Sequence, residues 1–184
     1  LDNGTYSVKA KVGADLPTNI VIPAEFNGKP VTAIDDSGFS FNEKIVNVII
    51  PDSVTSIGNS AFMNCSNLVS VKLPSQLTEI SDGLFLSCMK LAEINIPDTV
   101  TKIASYSLAA TAITELHIPE GVTFIGGYAI AYNEKLTEIH IPKNVSEIGW
   151  AVISTCNSLT TVTVDKANKV YHSDGNCIIE TATN

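Results

Sequence analysis

Arginine is absent from the sequence, and this absence limits the partners that the chain can bind. All 11 basic residues among the 184 are lysines, and they stand against 19 Asp and Glu residues, so the formal net charge is −8. Proteins that bind nucleic acids take much of their affinity from clustered Lys and Arg on the phosphate backbone. We therefore predict no nucleic-acid partner. The same charge balance argues against binding to an anionic membrane surface.

Long apolar runs are absent as well, although 45% of the residues are hydrophobic and only 16% are charged. A helix that spans a bilayer needs roughly 20 apolar residues in succession, and no run approaches that length. Membrane insertion is therefore not predicted. Because the apolar fraction is too high for low-complexity disorder, the composition indicates an ordered, acidic protein.

Cysteine is sparse, with four residues at positions 65, 88, 156 and 177 and no Cys-x-x-Cys pair. This spacing supports neither a zinc ribbon nor a redox motif. The chain starts at Leu1 without an apolar leader segment, and we expect that it is trimmed at this end.

Proline marks an internal repeat. Six of the eight prolines follow one another at spacings of 28, 23, 23, 22 and 23 residues, and apolar residues recur in register around each of them. A 23-residue unit that buries six or seven apolar side chains gains about 10 to 20 kcal/mol, whereas ordering its backbone costs roughly 1 to 2 kcal/mol per residue. No unit is expected to fold alone, so the units must stack and share their apolar faces. The repeating prolines are Pro23, Pro51, Pro74, Pro97, Pro119 and Pro142.

The apolar spacing changes within each unit, and this change predicts the local structure. Alternating residues before each proline, such as Val71 and Leu73, predict a half-buried strand that the proline ends. The Val-x-x-Ile-Gly segment predicts a turn or a second short strand, and the spacing of three or four that follows, as at Phe62 and Cys65, predicts one or two helical turns. We therefore predict a β-rich, right-handed α/β repeat solenoid of about seven strand rungs. A parallel strand ladder forms one face, and short helical or extended turns form the other.

The repeated motif Ile-Pro-x-x-Val-x-x-Ile-Gly-x-x-Ala-Phe-x-x-Cys-x-x-Leu is clearest over residues 51–71. It resembles the BspA-like leucine-rich repeats, a bacterial cell-surface class that is also found in some protozoa. The resemblance covers nearly the whole chain and implies one leucine-rich-repeat solenoid over residues 1–184. We expect an N-terminal capping segment and first strand at residues 1–27, six repeats at 28–164, and an atypical or truncated C-terminal unit at 165–184.

Two further strands are expected at the ends of the solenoid. Tyr6, Val8, Ala10 and Val12 alternate as a strand that caps the first rung. Residues 177–179 are expected to add an eighth rung.

Three of the cysteines, Cys65, Cys88 and Cys156, occupy one repeat position, where Asn42 and Asn133 stand in other units. The favoured interpretation is a buried thiol that packs as a small hydrophobic group. Cys65 and Cys88 fall on neighbouring rungs about 5 Å apart, so a disulfide between them is the alternative interpretation.

Outward positions on the predicted strands supply the candidate binding residues, because side chains two apart on a strand share a face. Four of them, two Glu and two His, are expected to form a rectangle of about 5 by 7 Å on two neighbouring rungs. A solvated polar face is the favoured interpretation of this rectangle, and a site for Zn²⁺ or another divalent ion is the alternative; we predict no metal or other cofactor. The predicted binding residues are Asn47, Ser70, Lys72, Glu93, Asn95, Glu115, His117, Glu138, His140, Thr161 and Thr163.

Two other groups of side chains are weaker candidates for a site. Tyr106, Tyr128 and Trp150 follow the Ile-Gly or Ile-Ala turn, either as half-buried covers of the turn edge, which is the favoured interpretation, or as an exposed aromatic stripe for carbohydrate or protein contact. His172 lies in the atypical unit and is expected to be far from the histidines of the strand face.

We predict that the chain is not an enzyme. It contains no glycine-rich phosphate loop, G-x-S-x-G elbow or H-E-x-x-H motif, and open repeat surfaces lack the desolvation that tunes catalytic groups. The family resemblance implies a secreted or cell-surface bacterial adhesion module, acting as a monomer on an extracellular protein or glycan ligand. The alternative is a structural spacer or targeting module for a separate domain.

Overall fold

The chain winds into a β-solenoid of about seven turns of about 23 residues each. The computed structural model describes residues 4–11 and 13–181, and within these ranges the regular structure consists of short strands. In chain order the strands are β1 (Tyr6–Val8), β2 (Asn19–Val21), β3 (Glu25–Phe26), β4 (Lys29–Ile34), β5 (Asn47–Ile49), β6 (Ser56–Ile57), β7 (Ser70–Lys72), β8 (Glu79–Ile80), β9 (Lys102–Ile103), β10 (Phe124–Ile125), β11 (Glu138–Ile141), β12 (Glu147–Ile148), β13 (Thr161–Val164), β14 (Tyr171–Asp174) and β15 (Cys177–Glu180).

The strands that precede the prolines form the predicted parallel ladder, but in two pieces. β2, β5 and β7 pair in parallel, so that Asn47 lies between Asn19 and Ser70. Farther along the stack, β11 pairs with β13 in parallel, with Glu138 beside Thr161. Residues 92–96 and 115–118, on the two rungs between these pieces, carry no strand and make no backbone hydrogen bond to other described residues.

The fourth unit, which is one residue short, accounts for the irregular rung at residues 115–118. Its first bond to the preceding rung runs from Ala112 N to Leu91 O (2.9 Å). In the next unit the corresponding bond runs from Thr137 N to Thr114 O (3.3 Å). Its donor lies two residues closer to the proline that ends the unit. The short turn therefore changes the register before the rung begins, and the unbroken ladder expected from the sequence is corrected at this point.

A second set of strands follows the prolines. β8, β9, β10 and β12 form a parallel sheet, whereas β4 pairs in parallel with β1 and β6 and forms a hairpin with β3. Between these two sheets, Ser81 Oγ donates a hydrogen bond to Ile57 O. Other units make this contact with a backbone amide, as Gly58 N does with Ile34 O (2.9 Å). The serine hydroxyl therefore replaces a ladder bond where serine stands in place of glycine.

No helix forms in residues 4–11 and 13–181, which corrects the α/β description and the predicted helical turns, and no membrane-spanning helix occurs there. The segment after each second-set strand is instead a run of β-turns in which two residues, four positions apart, have positive φ. In the Pro51 unit these are Ser60 (55°) and Asn64 (58°). A left-handed residue at every fourth position cannot continue a right-handed helix.

The backbone amides of these turns alternate between two kinds of partner. Met63 N donates to Ser60 O within its own unit (3.0 Å), whereas Phe62 N donates to Leu84 O of the next unit (3.1 Å). We call this array of bonds between successive turns the turn ladder. Its donor segments are residues 37–41, 60–64, 83–87, 106–110 and 128–132.

The core is a set of columns in which equivalent apolar side chains stack from unit to unit. Phe39, Phe62 and Phe85 form one column, with ring centroids 5.4 and 5.9 Å apart and planes within 12° of parallel. Phe62 and Phe85 are completely buried, and Leu108 continues the column where the aromatic residue is replaced. The repeating apolar positions recognised in the sequence supply this core.

The two ends differ from the predicted strands. β1 covers Tyr6–Val8, so the predicted strand forms over these three residues, but it pairs with β4 of the second set and not with the first rung, β2; Asp35 N donates to Val8 O (3.0 Å). Val12 lies outside the described residues. Cys177–Glu180 does form a strand, but it pairs antiparallel with β14. It therefore makes a terminal hairpin and does not add an eighth parallel rung.

The cysteines that share a repeat position are buried free thiols. The alternative of a disulfide between Cys65 and Cys88 is therefore not found. Each thiol donates to a carbonyl of the preceding unit: Cys65 Sγ lies 3.1 Å from Phe39 O, and Cys88 Sγ lies 3.1 Å from Phe62 O. Burial raises the pKa of Cys65 to about 11 and also raises the pKa of Cys88. The thiols therefore act both as small core groups and as donors between units.

Asn133 performs the same task with an amide. It is completely buried, and its Nδ2 donates to Leu108 O (2.9 Å) and Ile130 O (2.7 Å). Its Oδ1 accepts from the backbone N (2.9 Å) and the hydroxyl (2.7 Å) of Thr111, the residue at this position in the short unit. Since every polar atom of the side chain is paired, the buried amide ties the short unit to the next one.

Phe62→Ala is expected to lower the free energy of unfolding by about 3 to 5 kcal/mol, because it leaves a cavity between two stacked rings. Phe41 offers a matched control, since it is 66% exposed on the same turn segment of the preceding unit. Phe41→Ala should change stability by less than about 0.5 kcal/mol. Urea unfolding followed by circular dichroism measures both, and equal losses would contradict the buried column.

Ellman's reagent at pH 8 is expected to modify one thiol, Cys177, in the folded protein and all four after unfolding, because the other three are buried. Cys177→Ser should reduce the number of reactive thiols in the folded protein to zero. Fewer than four reactive thiols after unfolding without reductant would indicate a disulfide.

The pKa of Cys65 lies above its ordinary value of 9.0 in the folded protein. The contribution of the Cys65 thiol to folding stability is therefore complete below pH 9 and is lost as pH rises towards 11.

Candidate functional site

The strand face, which we define as the outward side of the strands that precede the prolines, presents two columns of side chains. One residue of each unit stands four positions before the proline, and another stands two positions before it. Ten of the eleven predicted binding residues are exposed, and Asn47 is half-buried. The outward orientation inferred from the alternation is therefore correct. The first column holds Asn47, Ser70, Glu93, Glu115, Glu138 and Thr161, and the second holds Lys72, Asn95, His117, His140 and Thr163.

The N-terminal part of the strand face is internally satisfied. Asn47 Nδ2 donates to Asn19 Oδ1 (2.6 Å), and Ser70 Oγ donates to Asn47 Oδ1 (2.7 Å). Asn19 was missed by the sequence analysis, although its position four residues before the first repeating proline identifies it. Beside this polar row, Val21 is 67% exposed and Ile49 is 46% exposed. Few free polar groups remain at this end for a ligand.

The C-terminal part of the strand face is concave. A depression of about 270 Å³ opens here, and its floor is formed by the buried side chains of Leu116 and Ile139. The structure thus brings the predicted rectangle of two Glu and two His together around one depression, with two threonines from β13. The polar lining residues are Glu115, His117, Glu138, His140, Thr161 and Thr163.

Hydrogen bonds between β11 and β13 orient the His140 ring. His140 Nδ1 lies 2.9 Å from Thr163 Oγ1, and this hydroxyl donates its own proton to Ile139 O (3.4 Å). The contact with Thr163 holds the imidazole at the rim of the depression, beside the carboxylates.

The rectangle does not form a metal-ligand set. In residues 4–11 and 13–181, no group of three or more His, Cys, Asp or Glu side chains is placed to hold a metal ion. Glu115, His117, Glu138 and His140 surround the depression without converging on one point. The alternative of a divalent-ion site therefore receives no support from the geometry.

A second depression, of about 940 Å³, continues the strand face towards the terminal hairpin. His140 and Thr163 line both depressions, and the second one also includes Asp165 and His172. His172 was expected to lie far from the strand-face histidines, and its position corrects that expectation. The hairpin β14–β15 folds back onto the last rung, where Ser173 Oγ accepts from Val164 N (3.3 Å), and this fold could not be inferred from the repeat.

Three carboxylates follow one another along the first column. Glu93, Glu115 and Glu138 stand on successive rungs, all are exposed, and none pairs with a lysine in the described part of the chain. Like charges on neighbouring strands repel one another. These three residues therefore form a strip of carboxylates without ion pairs.

The aromatic residues after the Ile-Gly or Ile-Ala turn lie on the turn-ladder side of the solenoid, away from the strand face. Tyr128 is half-buried, as the favoured interpretation holds, but Tyr106 is 40% exposed and Trp150 is 72% exposed. The alternative of an exposed aromatic surface is therefore the better description. Tyr132, which the sequence analysis omitted, stacks against Tyr128 with a centroid distance of 6.1 Å.

Comparisons with solved structures place the fold among bacterial repeat proteins. A leucine-rich repeat protein from Bacteroides ovatus is 28% identical with a TM-score of 0.76, and the match covers 80% of this chain and 39% of that one. A leucine-rich repeat protein from Eubacterium ventriosum is 24% identical with a TM-score of 0.69, covering 98% and 44%. A leucine-rich cell surface protein from Faecalibacterium prausnitzii is 24% identical with a TM-score of 0.56, covering 98% and 55%.

The chain spans between 39% and 55% of the length of these three proteins. No curated protein sequence matches it. A family description does match: the BspA-type leucine-rich repeat region aligns in six copies over residues 32–160. These residues cover more than half of the chain and include the units that carry the strand face. The chain belongs to the BspA-type leucine-rich repeat family.

Proposed function

We propose that the chain is a non-enzymatic recognition module that binds a basic segment of an extracellular protein through the strand face. The observation that carries this proposal is the strip of Glu93, Glu115 and Glu138, which forms no ion pair with a lysine among the described residues. Three carboxylates on successive rungs repel one another in the free protein. A lysine- or arginine-rich segment laid along the stack would remove that repulsion and gain charge-assisted hydrogen bonds.

The adjacent depression supplies neutral contacts. His140 presents its imidazole, and Thr161 and Thr163 present hydroxyl groups, around the same opening. A cationic side chain that enters a depression with a partly apolar floor loses water on one side only, which keeps its desolvation cost low. Attraction to the surrounding carboxylates offsets that cost.

Location outside the cell is part of the proposal. The family to which the chain belongs is known from bacterial surface proteins, and the solenoid offers an extended face of the kind that repeat proteins use for binding. A ligand on another cell or in the extracellular matrix fits that location. The charge of −8 favours cationic or neutral partners over anionic ones.

The test is binding of the purified chain to an array of extracellular matrix proteins, followed by affinity measurement on each protein that binds. Glu138→Lys is expected to weaken binding by about tenfold or more, because it replaces an attractive charge with a repulsive one. The affinity of the unchanged chain should also fall as salt is raised from about 0.05 to 0.5 M.

Glu147→Lys provides the matched control. Glu147 is also an exposed strand residue, nine positions after Glu138, but it lies on β12 in the second set of strands. Glu147→Lys changes the net charge by the same amount as Glu138→Lys, but it should leave the affinity within about twofold of that of the unchanged chain. If both variants bind equally, or if no matrix protein binds, the proposal fails and the spacer function becomes the better account.

A further inference from the structure

The second surface of interest lies on the turn-ladder side, where four aromatic rings meet. We call Tyr106, Tyr128, Tyr132 and Trp150 the aromatic platform. The Tyr106 and Tyr128 rings stack at 4.9 Å and 19°, the Tyr132 ring lies 6.1 Å from Tyr128 at 12°, and the Trp150 ring meets Tyr128 edge-on at 4.5 Å and 70°. The platform spans three successive units.

The fold itself does not require aromatic side chains at these positions. Tyr106 and Tyr128 occupy the first left-handed position of their turns, with φ of 56° and 55°. Ser60 and Gly83 fill the equivalent position in earlier units with φ of 55° and 60°. Because small residues serve the turn equally well, and because Trp150 is 72% exposed, stability of the core does not explain the platform.

Backbone bonds and ring contacts order the platform in the free protein. Tyr106 N donates to Gly127 O (3.1 Å), and Tyr128 N donates to Trp150 O (3.1 Å), so the turn ladder fixes the backbone beneath the rings. The Trp150 indole packs against Gly127, where an added Cβ would lie 3.3 Å from Nε1. A surface whose side chains are already ordered loses little entropy on binding.

The arrangement of the rings selects the chemistry of the ligand. Nearly parallel tyrosine rings cover one another's faces, so they cannot form the open cage that surrounds a quaternary ammonium ion. What remains accessible is the exposed indole and the edges of the tyrosines, where the hydroxyl groups lie close together. Burial, together with the neighbouring Tyr132 and Tyr106, raises the pKa of Tyr128, consistent with that crowding.

We propose that the aromatic platform binds a neutral glycan. A pyranose ring presents a flat C–H face, which packs on an indole, and a rim of hydroxyl groups, which bond to tyrosine hydroxyls. Acidic sugars fit less well, because the protein carries a net charge of −8. This site is separate from the strand face and does not depend on the function proposed for that face.

Trp150 is the only tryptophan of the chain, so intrinsic fluorescence reports directly on the platform. We propose titration with cellohexaose, chitohexaose and lacto-N-neotetraose, and protection of the fluorescence from iodide quenching. At least one of the three should shift the emission in a saturable way and reduce quenching. By calorimetry, Trp150→Ala should weaken the affinity for that glycan by about tenfold or more.

Three variants distinguish a glycan site on the platform from misfolding, from nonspecific binding to exposed aromatic residues and from binding at the strand face. Tyr128→Ser introduces serine, the residue that Ser60 provides at the same turn position. This variant should fold normally and bind the same glycan with lower affinity. Phe41→Ala removes an aromatic ring of similar exposure from the other end of the solenoid and should leave glycan affinity unchanged. Glu138→Lys, on the strand face, should also leave it unchanged.

The proposal is overturned if none of the three glycans changes the fluorescence. It is also overturned if Trp150→Ala and Phe41→Ala weaken binding equally, or if tetramethylammonium displaces the glycan at equal concentration, since that result would indicate a cation site.

Discussion

Hydrogen bonding between successive turns is the interaction on which the rest of this structure depends. In the turn ladder, alternate amides leave their own unit and donate to the next one, as Phe62 N does to Leu84 O. A single unit cannot satisfy its own peptide groups or bury its own apolar side chains. Strands, turns and core columns therefore form together along the stack.

The turn ladder also determines where side chains can vary. Because backbone bonds and buried columns hold each unit in place, the outward side chains are not needed for packing the core. The chain uses this freedom on two different sides. One side carries the carboxylate strip with its depression, and the other carries the aromatic platform, so that separate ligand chemistries can be presented by one scaffold.

Polar side chains maintain the stack where the repeat departs from its motif. The hydroxyl of Ser81 replaces a backbone bond, and Asn133 uses all of its polar atoms to join the short unit to its neighbour. A thiol, an amide and a hydroxyl can share one repeat position because each provides a donor or an acceptor of similar reach. Within the described ranges, the strand ladder stays open around residues 92–96 and 115–118, and this opening lies under the acidic strip.

Much of this could be predicted from the sequence, because burial leaves a periodic record. The period of the prolines predicted the solenoid, and alternation predicted the outward orientation of residues such as Glu138 and His140. The prediction of helical turns was wrong because consecutive β-turns place Phe62 and Cys65 on the same inner side that a helix would. Spacing does not reveal whether an amide bonds within its unit or to the next one. Likewise, the position of His172 depends on a hairpin that folds back on the last rung, which no period encodes.

Amide hydrogen exchange tests the central claim most directly. The account predicts that the amides of Ser60 and Phe62, which donate to the next unit, exchange at least about 100-fold more slowly than those of Ala151 and Ile153. These two residues hold the equivalent positions in the last turn and have no acceptor among the described residues. Equal protection of the two pairs, or continuous protection through residues 60–68 as in a helix, would contradict the turn ladder.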